Sequence, residues 1–338
     1  MLGVAAVAAG GMITAKASPE PLPPVSPAAL VAGLESNSVD GFSGTVVAQL
    51  SLGLPALPGI ASRSGDASMA GLLSGSHTMR LWYGGPDQQR VALLGTTDET
   101  DLFHSGRDVW HWDSSTRTAT HTLLPADGAK SSTVPRSDLS SLTPQQVASQ
   151  LLAGIDPTTA VTLGQNRVVA DRSAYDLVLT PRTTATRVAS AHIAIDGATK
   201  LPLGVQIYAR GSASPAVDIA FSDVRFQTPS SSYFSFTPPP GATVKDDTTA
   251  PKTPTGSTAR PAVIGSGWTS VVAYRANQQQ LASIGGATAG LLPRVQGSWG
   301  HGRVLTSALV SVLLTDDGRV FAGAVDPATL FAAAATHK

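Results

Sequence analysis

From His192 to Pro240 the chain reads HIAID, GATKLP, LGVQIYAR, GSASP, AVDIAFSDVRFQ and TPSSSYFSFTPPP. Apolar residues alternate within each longer run: Ile193 with Ile195, Val205 with Ile207, Ile219 with Phe221. Glycine, proline, serine and aspartate stand between the runs. Period-two alternation broken by turn formers is the pattern of an antiparallel meander with one buried face. A helix would scatter these side chains around its circumference, so this stretch constrains the fold more than any other.

The neighbouring sequence extends the pattern. YDLVLTP, ending at Pro181, carries Leu177 and Leu179 on one face. Upstream, strands are expected at 41–50, 78–83, 89–94, 100–104 and 108–112, with turns at Gly84-Gly85-Pro86-Asp87 and Ser105-Gly106-Arg107-Asp108. Trp110 and Trp112 share a face by alternation, and another strand is expected over 161–170. Two helices interrupt the strands. Ser26-Pro27 supplies a cap and a first-turn proline for a short helix to about residue 36. Thr143-Pro144 caps a second within 137–155, whose Val147, Leu151 and Leu152 form an apolar stripe. Residues 51–76 are rich in glycine, serine and proline yet carry several leucines, which reads as a long apolar insertion.

Two segments bracket this domain. Residues 1–17, MLGVAAVAAGGMITAKA, read as a signal-like apolar leader ending in a small-x-small pattern, although no basic residue precedes the apolar run. An exported protein of the cell envelope is expected, with the leader as its candidate membrane anchor. Residues 18–25 form a proline-rich linker, 26–245 the main domain and 246–262 a polar linker. Residues 263–338 make a small C-terminal module. Within it, strands are expected at 268–273, 304–314 and 320–325, part of a helix at 278–284, and a final helix after Asp326-Pro327. Asp316-Asp317-Gly318-Arg319 is a hairpin signal.

The 23 basic and 23 acidic residues cancel, leaving no electrostatic footprint for nucleic acid. The chain has no cysteine, which excludes disulfides, thiolate metal sites and a lipid-modified cysteine within it. Its seven histidines show no metal-ligand spacing, no G-x-S-x-G is present, and Ser298–Arg303 lacks a phosphate-loop lysine. Asp98, Glu99 and Asp101 cluster at what reads as a solvated turn. No enzyme constellation emerges, and no cofactor is expected.

Three motifs carry a resemblance: IAID-x-x-T-x-LPL-x-V from Ile193, FSDVRFQ from Phe221, and FSFTPPPGA from Phe234. Together with DLFHSGRDVWHWD from Asp101, they resemble the LolA-like superfamily. That superfamily holds periplasmic lipoprotein carriers and RseB-type sensor domains that regulate anti-sigma factors. The resemblance covers about residues 26–245. It implies an α+β fold: a strongly curved antiparallel sheet, a half barrel, covered by helices and followed here by the small C-terminal α+β module. It also implies a cavity for acyl chains. The residues expected to line it are Leu81, Val91, Leu93, Phe103, Trp110, Trp112, Leu177, Leu179, Ile193, Ile195, Val205, Ile207, Ile219 and Phe221. The carrier's arginine on the early strands has no matching position; Arg80 and Arg90 are only neighbours in sequence. Three functions stay open: a non-enzymatic carrier of lipid or lipoprotein acyl chains, peripheral to the membrane; a sensor binding an anti-sigma factor or another membrane-protein ectodomain through its C-terminal module; and a structural envelope protein with a filled core.

Overall fold

The computed structural model describes residues 21–35, 39–53, 75–124, 143–247, 261–276 and 292–337. Its first helix, α1 (Pro27–Glu35), is capped where Ser26 Oγ accepts from Ala29 N at 3.2 Å. Six strands follow as an antiparallel series: β1 (Phe42–Leu50), β2 (Gly75–Tyr83), β3 (Gln88–Leu94), β4 (Glu99–Ser105), β5 (Asp108–Asp113) and β6 (Thr118–Leu123). Helix α2 (Pro144–Ala153) starts at the expected cap, with Thr143 Oγ1 accepting from Gln146 N at 3.3 Å.

The expected strand at 161–170 is two strands, β7 (Thr159–Leu163) and β8 (Arg167–Val169), split by Gly164-Gln165-Asn166. The meander is β9 (Arg172–Pro181), β10 (Val188–Asp196), β11 (Pro202–Ala209) and β12 (Pro215–Arg225). Strand β12 closes on β1, so the two halves join into one open sheet running from β6 to β7. Finally β13 (Thr243–Asp247) adds to the β6 edge in parallel, which makes thirteen strands.

Register puts the apolar residues of the central strands on one face, called the inner face below. Leu177, Ile193, Val205, Ile219 and Ala48 stand in line across β9, β10, β11, β12 and β1. Val46, Met79 and Leu93 form a second row, and Leu81, Val91 and Leu102 a third. The early glycine of FSGTVV has a steric reason: a Cβ on Gly44 would lie 2.9 Å from the Phe221 ring and 2.4 Å from the Asp223 carbonyl oxygen. Phe221 therefore packs over bare backbone. Both helices cover the β7–β12 end, where Leu30 of α1 and Ala148 of α2 join Leu177, Leu179, Ile193, Ile195 and Val205 in one cluster. The proline-rich segment takes part in this packing. Leu22 and Val25 rest on the cluster, and Tyr175 Oη donates to the Pro23 carbonyl at 2.8 Å. The two apolar residues between its prolines explain why this stretch lies on the domain.

The C-terminal module is a second sheet of six strands: β14 (Ala262–Ile264), β15 (Val271–Arg275), β16 (Arg294–Gly297), β17 (Gly300–Thr306), β18 (Ser311–Thr315) and β19 (Arg319–Gly323), with helix α3 (Pro327–Thr336) packed on it. Two expectations are corrected here. Residues 304–314 are not one strand, because the chain turns at Ser307, whose N–H and Oγ–H both donate to the Val310 carbonyl. Trp268 stands in a 3-10 turn ahead of β15. The hairpin at Asp316-Asp317-Gly318 joins β18 to β19 as expected. The expected helical piece at 278–284 and most of the insertion at 51–76 lie outside the described residues.

Arg319 fastens α3 to this sheet. Its guanidinium donates to the carbonyls of Ala334, His337 and Trp299 and pairs with Asp317 at 2.8 Å. A cation at a helix C-terminus also suits the helix dipole. Arg319→Ala should destabilise the module by about 2–3 kcal/mol. Arg319→Lys should not rescue it, since one ammonium cannot span the same acceptors. A thermal melt of both variants checks this; equal stability of Arg319→Lys and the parent would disprove it.

The two sheets meet along a seam. Thr186 forms an isolated bridge with Val325, and its hydroxyl donates to the Ala324 carbonyl at 2.7 Å. Arg187 donates from its backbone to Ala324 and from its side chain to the Ser307 carbonyl, and pairs with Asp326 at 2.6 Å. Leu309 enters the core of the large sheet. Trp268 packs against both main core clusters and donates to Thr159 Oγ1 at 2.8 Å.

Candidate functional site

A pocket of about 300 Å³ opens on the inner face between β2, β3 and the first turn of α2. Leu81 and Val91 form part of its floor, joined by Phe42, Leu201, Gln145 and Gln146. Helix α2 is tied down beside it by Gln145 Nε2, which donates to the Pro202 carbonyl at 3.1 Å. Tyr83, stacked on Phe42 with ring centroids 5.3 Å apart, borders the same space, and burial raises its phenol pKa. The pocket's apolar lining from Phe42, Leu81, Val91 and Leu201 is bordered by polar residues: Gln145 and Gln146 of α2, Thr143, Gln89 and Arg90. This is the usual construction of a small-ligand site, at the lower end of the usual size.

The fourteen residues expected to line a cavity separate into groups. Leu177, Leu179, Ile193, Ile195 and Val205 are fully buried beneath the helices. Leu93, Ile219 and Phe221 are closed into the neighbouring cluster, and Ile207 is half-buried between the two. Leu81 and Val91 reach the pocket. Phe103, Trp110 and Trp112 do not belong with the others. Register pairs Arg90 with Phe103 and Phe103 with Trp110, whereas Val91 pairs with Leu102 and Leu102 with His111. Strand alternation therefore sends these three aromatic side chains to the opposite, outer face. There they surround Phe236 of the proline-rich tail at centroid distances of 4.8, 5.5 and 5.9 Å. The shared face of Trp110 and Trp112 was legible from alternation. Which face it is depended on strand register.

The acidic group expected at a solvated turn is also placed differently. Asp101 lies within β4 at 2% exposure, held by Arg90 Nη2 at 2.7 Å. Burial, a hydrogen bond with Glu99 and that residue's charge push its carboxyl up to about 7 against the pull of Arg90. Sequence alternation could have found it: residue 101 is in phase with Phe103.

Among the described residues no three His, Asp or Glu side chains converge to hold a metal ion. No described helix is long and apolar enough to cross a membrane.

No family model matches the chain, and no curated protein matches it. Solved structures similar to it include the MucA/MucB complex of Pseudomonas aeruginosa, at 16% identity over 90% of this chain and 94% of that one, with a TM-score of 0.43. An uncharacterized conserved protein from Thermus thermophilus is 12% identical over 64% of this chain and 96% of its own, at a TM-score of 0.36. A LolA superfamily protein from Nitrosomonas europaea is 12% identical over 63% of this chain and 99% of its own, at 0.24. The last name is that of the family the sequence motifs resemble. At TM-scores below 0.5 these likenesses carry no argument about function.

Proposed function

We propose that this chain is a non-enzymatic, exported binder of lipid or lipoprotein acyl chains, and that the acyl chain enters between the inner face and α2. The observation that carries this reading is the apolar pocket at Leu81 and Val91, roofed by the first turn of α2. The fully packed residues under the two helices form the structural core, and the ligand occupies the β2–β3 end of the same face. Register shifts at Thr45/Val46, Ala194/Ile195 and Ile207/Tyr208 support a curved sheet, because bulges bend strands and increase twist. Curvature of a half barrel under α1 and α2 is thus part of the proposal. Each methylene buried contributes about 0.8 kcal/mol, so a short acyl chain gains useful affinity without polar contacts.

Native mass spectrometry of protein purified from a bacterial envelope, followed by organic extraction, tests this. A discrete added mass that extracts as acylated lipid is expected, and Val91→Phe, which fills the pocket with apolar volume, should remove most of it. An apo mass that persists after incubation with lipid vesicles would sink the reading.

One observation favours a sensor as the second reading. On the C-terminal sheet Val263, Val272, Ala322, Val312 and Leu305 form one row across β14, β15, β19, β18 and β17. Val263 is 65% and Val272 38% exposed. Leu305 and Val312 pack against the module's own core, so the exposed apolar end of the row is Val263 and Val272, which suits a protein partner such as a membrane-protein ectodomain. Partner capture that requires Val263 and Val272, with no lipid in the purified protein, would favour it.

A further inference from the structure

On the outer face a cleft of about 710 Å³ lies between the β3–β4 turn, β5 and the tail at Phe236, and Arg90 borders both it and the inner pocket. We propose that this cleft binds an organic cation, the ammonium group of a small amine or of a lipid headgroup. Its walls are of two kinds: the rings of Phe103, Trp112 and Phe236, and the carboxylates of Asp98, Glu99 and Asp101.

The charges decide what such walls accept. Arg90 is the one basic side chain among the lining residues, and it is engaged by Glu99 at 3.2 Å and Asp101 at 2.7 Å. Asp98 and Glu99, joined by Asp101 once the pH exceeds its pKa of about 7, outnumber the one guanidinium and repel an anion. A neutral ligand would desolvate the carboxylates without pairing them, which costs free energy. A cation meets both walls favourably, through the carboxylates and through the negative faces of the rings.

The aromatic cluster already holds one cation. The Arg90 guanidinium stacks over Trp82 at 4.7 Å and Phe103 at 4.5 Å. Beside it, Trp112 and Phe236 are half-buried at the cleft, and among the described residues no arginine or lysine lies over them. The cleft thus continues an aromatic surface whose first position its own arginine fills.

A pH signature follows. Burial pushes the Asp101 carboxyl up to about 7, with Arg90 facing it from β3, Glu99 beside it on β4 and Asp98 in the β3–β4 turn, while Trp112 from β5, Ser114 just after it and Phe236 from the tail carry no titrating group. A bound cation favours the ionised carboxyl, so affinity should rise as pH climbs through this range.

The test uses the full chain, choline as probe and 3,3-dimethylbutanol as its neutral isostere, followed by calorimetry. Choline should bind about tenfold or more tightly than the isostere, and its affinity should increase from about pH 6 to about pH 8. Trp112→Leu and Glu99→Gln should each weaken choline about tenfold. Equal binding of choline and the isostere, or no choline binding at all, overturns the proposal on the unaltered protein, whatever the variants do to folding. Soluble short-chain phosphatidylcholine separates the two sources: competition with choline assigns a lipid headgroup, and its absence assigns a free amine. Acyl occupancy of the inner pocket is read separately, by added mass and Val91→Phe, so failure of either proposal is told apart from failure of the other.

Discussion

Replacing Asp196 by alanine should cost about 3 kcal/mol of stability, the lower end of what breaking a buried ion pair costs, because Arg172 keeps about a third of its side chain in solvent. Asp196 is 1% exposed and accepts both Arg172 Nε at 2.6 Å and Nη2 at 3.0 Å. The same carboxylate accepts from the N–H groups of Ala198 and Thr199 and from Thr199 Oγ1. It thereby shapes the β10–β11 turn, where Lys200 adopts a φ of 59°. Burial alone would raise its pKa, but the hydrogen bonds from Arg172 and Thr199 outweigh burial and hold it below the usual carboxylate range. The sign for pH follows. With the folded pKa depressed, this stabilisation is complete above the unfolded value of about 3.9 and is lost as pH falls through the folded pKa. Denaturant titrations at neutral and acid pH should show the gap between Asp196→Ala and the parent shrinking only below about pH 4. A gap that stays constant into strong acid would refute the assignment.

Trp268→Ala should loosen the two sheets from one another while leaving each folded. The indole touches both main core clusters and bonds to Thr159, so its removal loses large apolar contact and leaves a void, for about 3–5 kcal/mol. Adjacent Gly267 has a φ of 55°, and a Cβ there would meet Asp156 Oδ2 at 2.4 Å. This approach of chain to domain therefore depends on glycine followed by tryptophan. Calorimetry should resolve one cooperative transition in the parent and two in the variant, with faster proteolysis between residues 247 and 262. A single transition shifted as a whole would place Trp268 in a common core instead.

Much of the sheet was legible in the sequence, because each meander strand has one clean apolar face and each turn carries its own chemistry. The Asp196–Thr199 pair shows what such a motif encodes: a carboxylate and a hydroxyl three residues apart, closing one turn. The site was less legible. Alternation says that Phe103, Trp110 and Trp112 share a face but not which one, since both faces of β3–β5 carry large apolar residues. Arg90, stacked between Trp82 and Phe103, is what distinguishes the outer face, and its partners are remote in sequence. Three acidic residues within four positions suggest solvent, and for Asp101 only its alternation with Phe103 argues otherwise; the arginine that covers it comes from another strand. Leu201 and Phe42 enter the pocket through pairings of strands far apart in the chain, which periodicity does not report.

The junction of β1 with β12 pairs residues 43–50 with residues 217–225. It is the centre of the large sheet, and it has a consequence for how the chain acquires its structure. During synthesis β1 must wait about 170 residues for its partner, roughly ten to thirty seconds at the usual rates of translation. Val46, Ala48 and Met79 end at 0% exposure, and until β12 arrives β1 has only β2 as a partner. Non-local strand pairing of this kind folds slowly and exposes strand edges on the way. The step that commits the chain to its native sheet therefore comes only once about two-thirds of the chain, through residue 225, has been made.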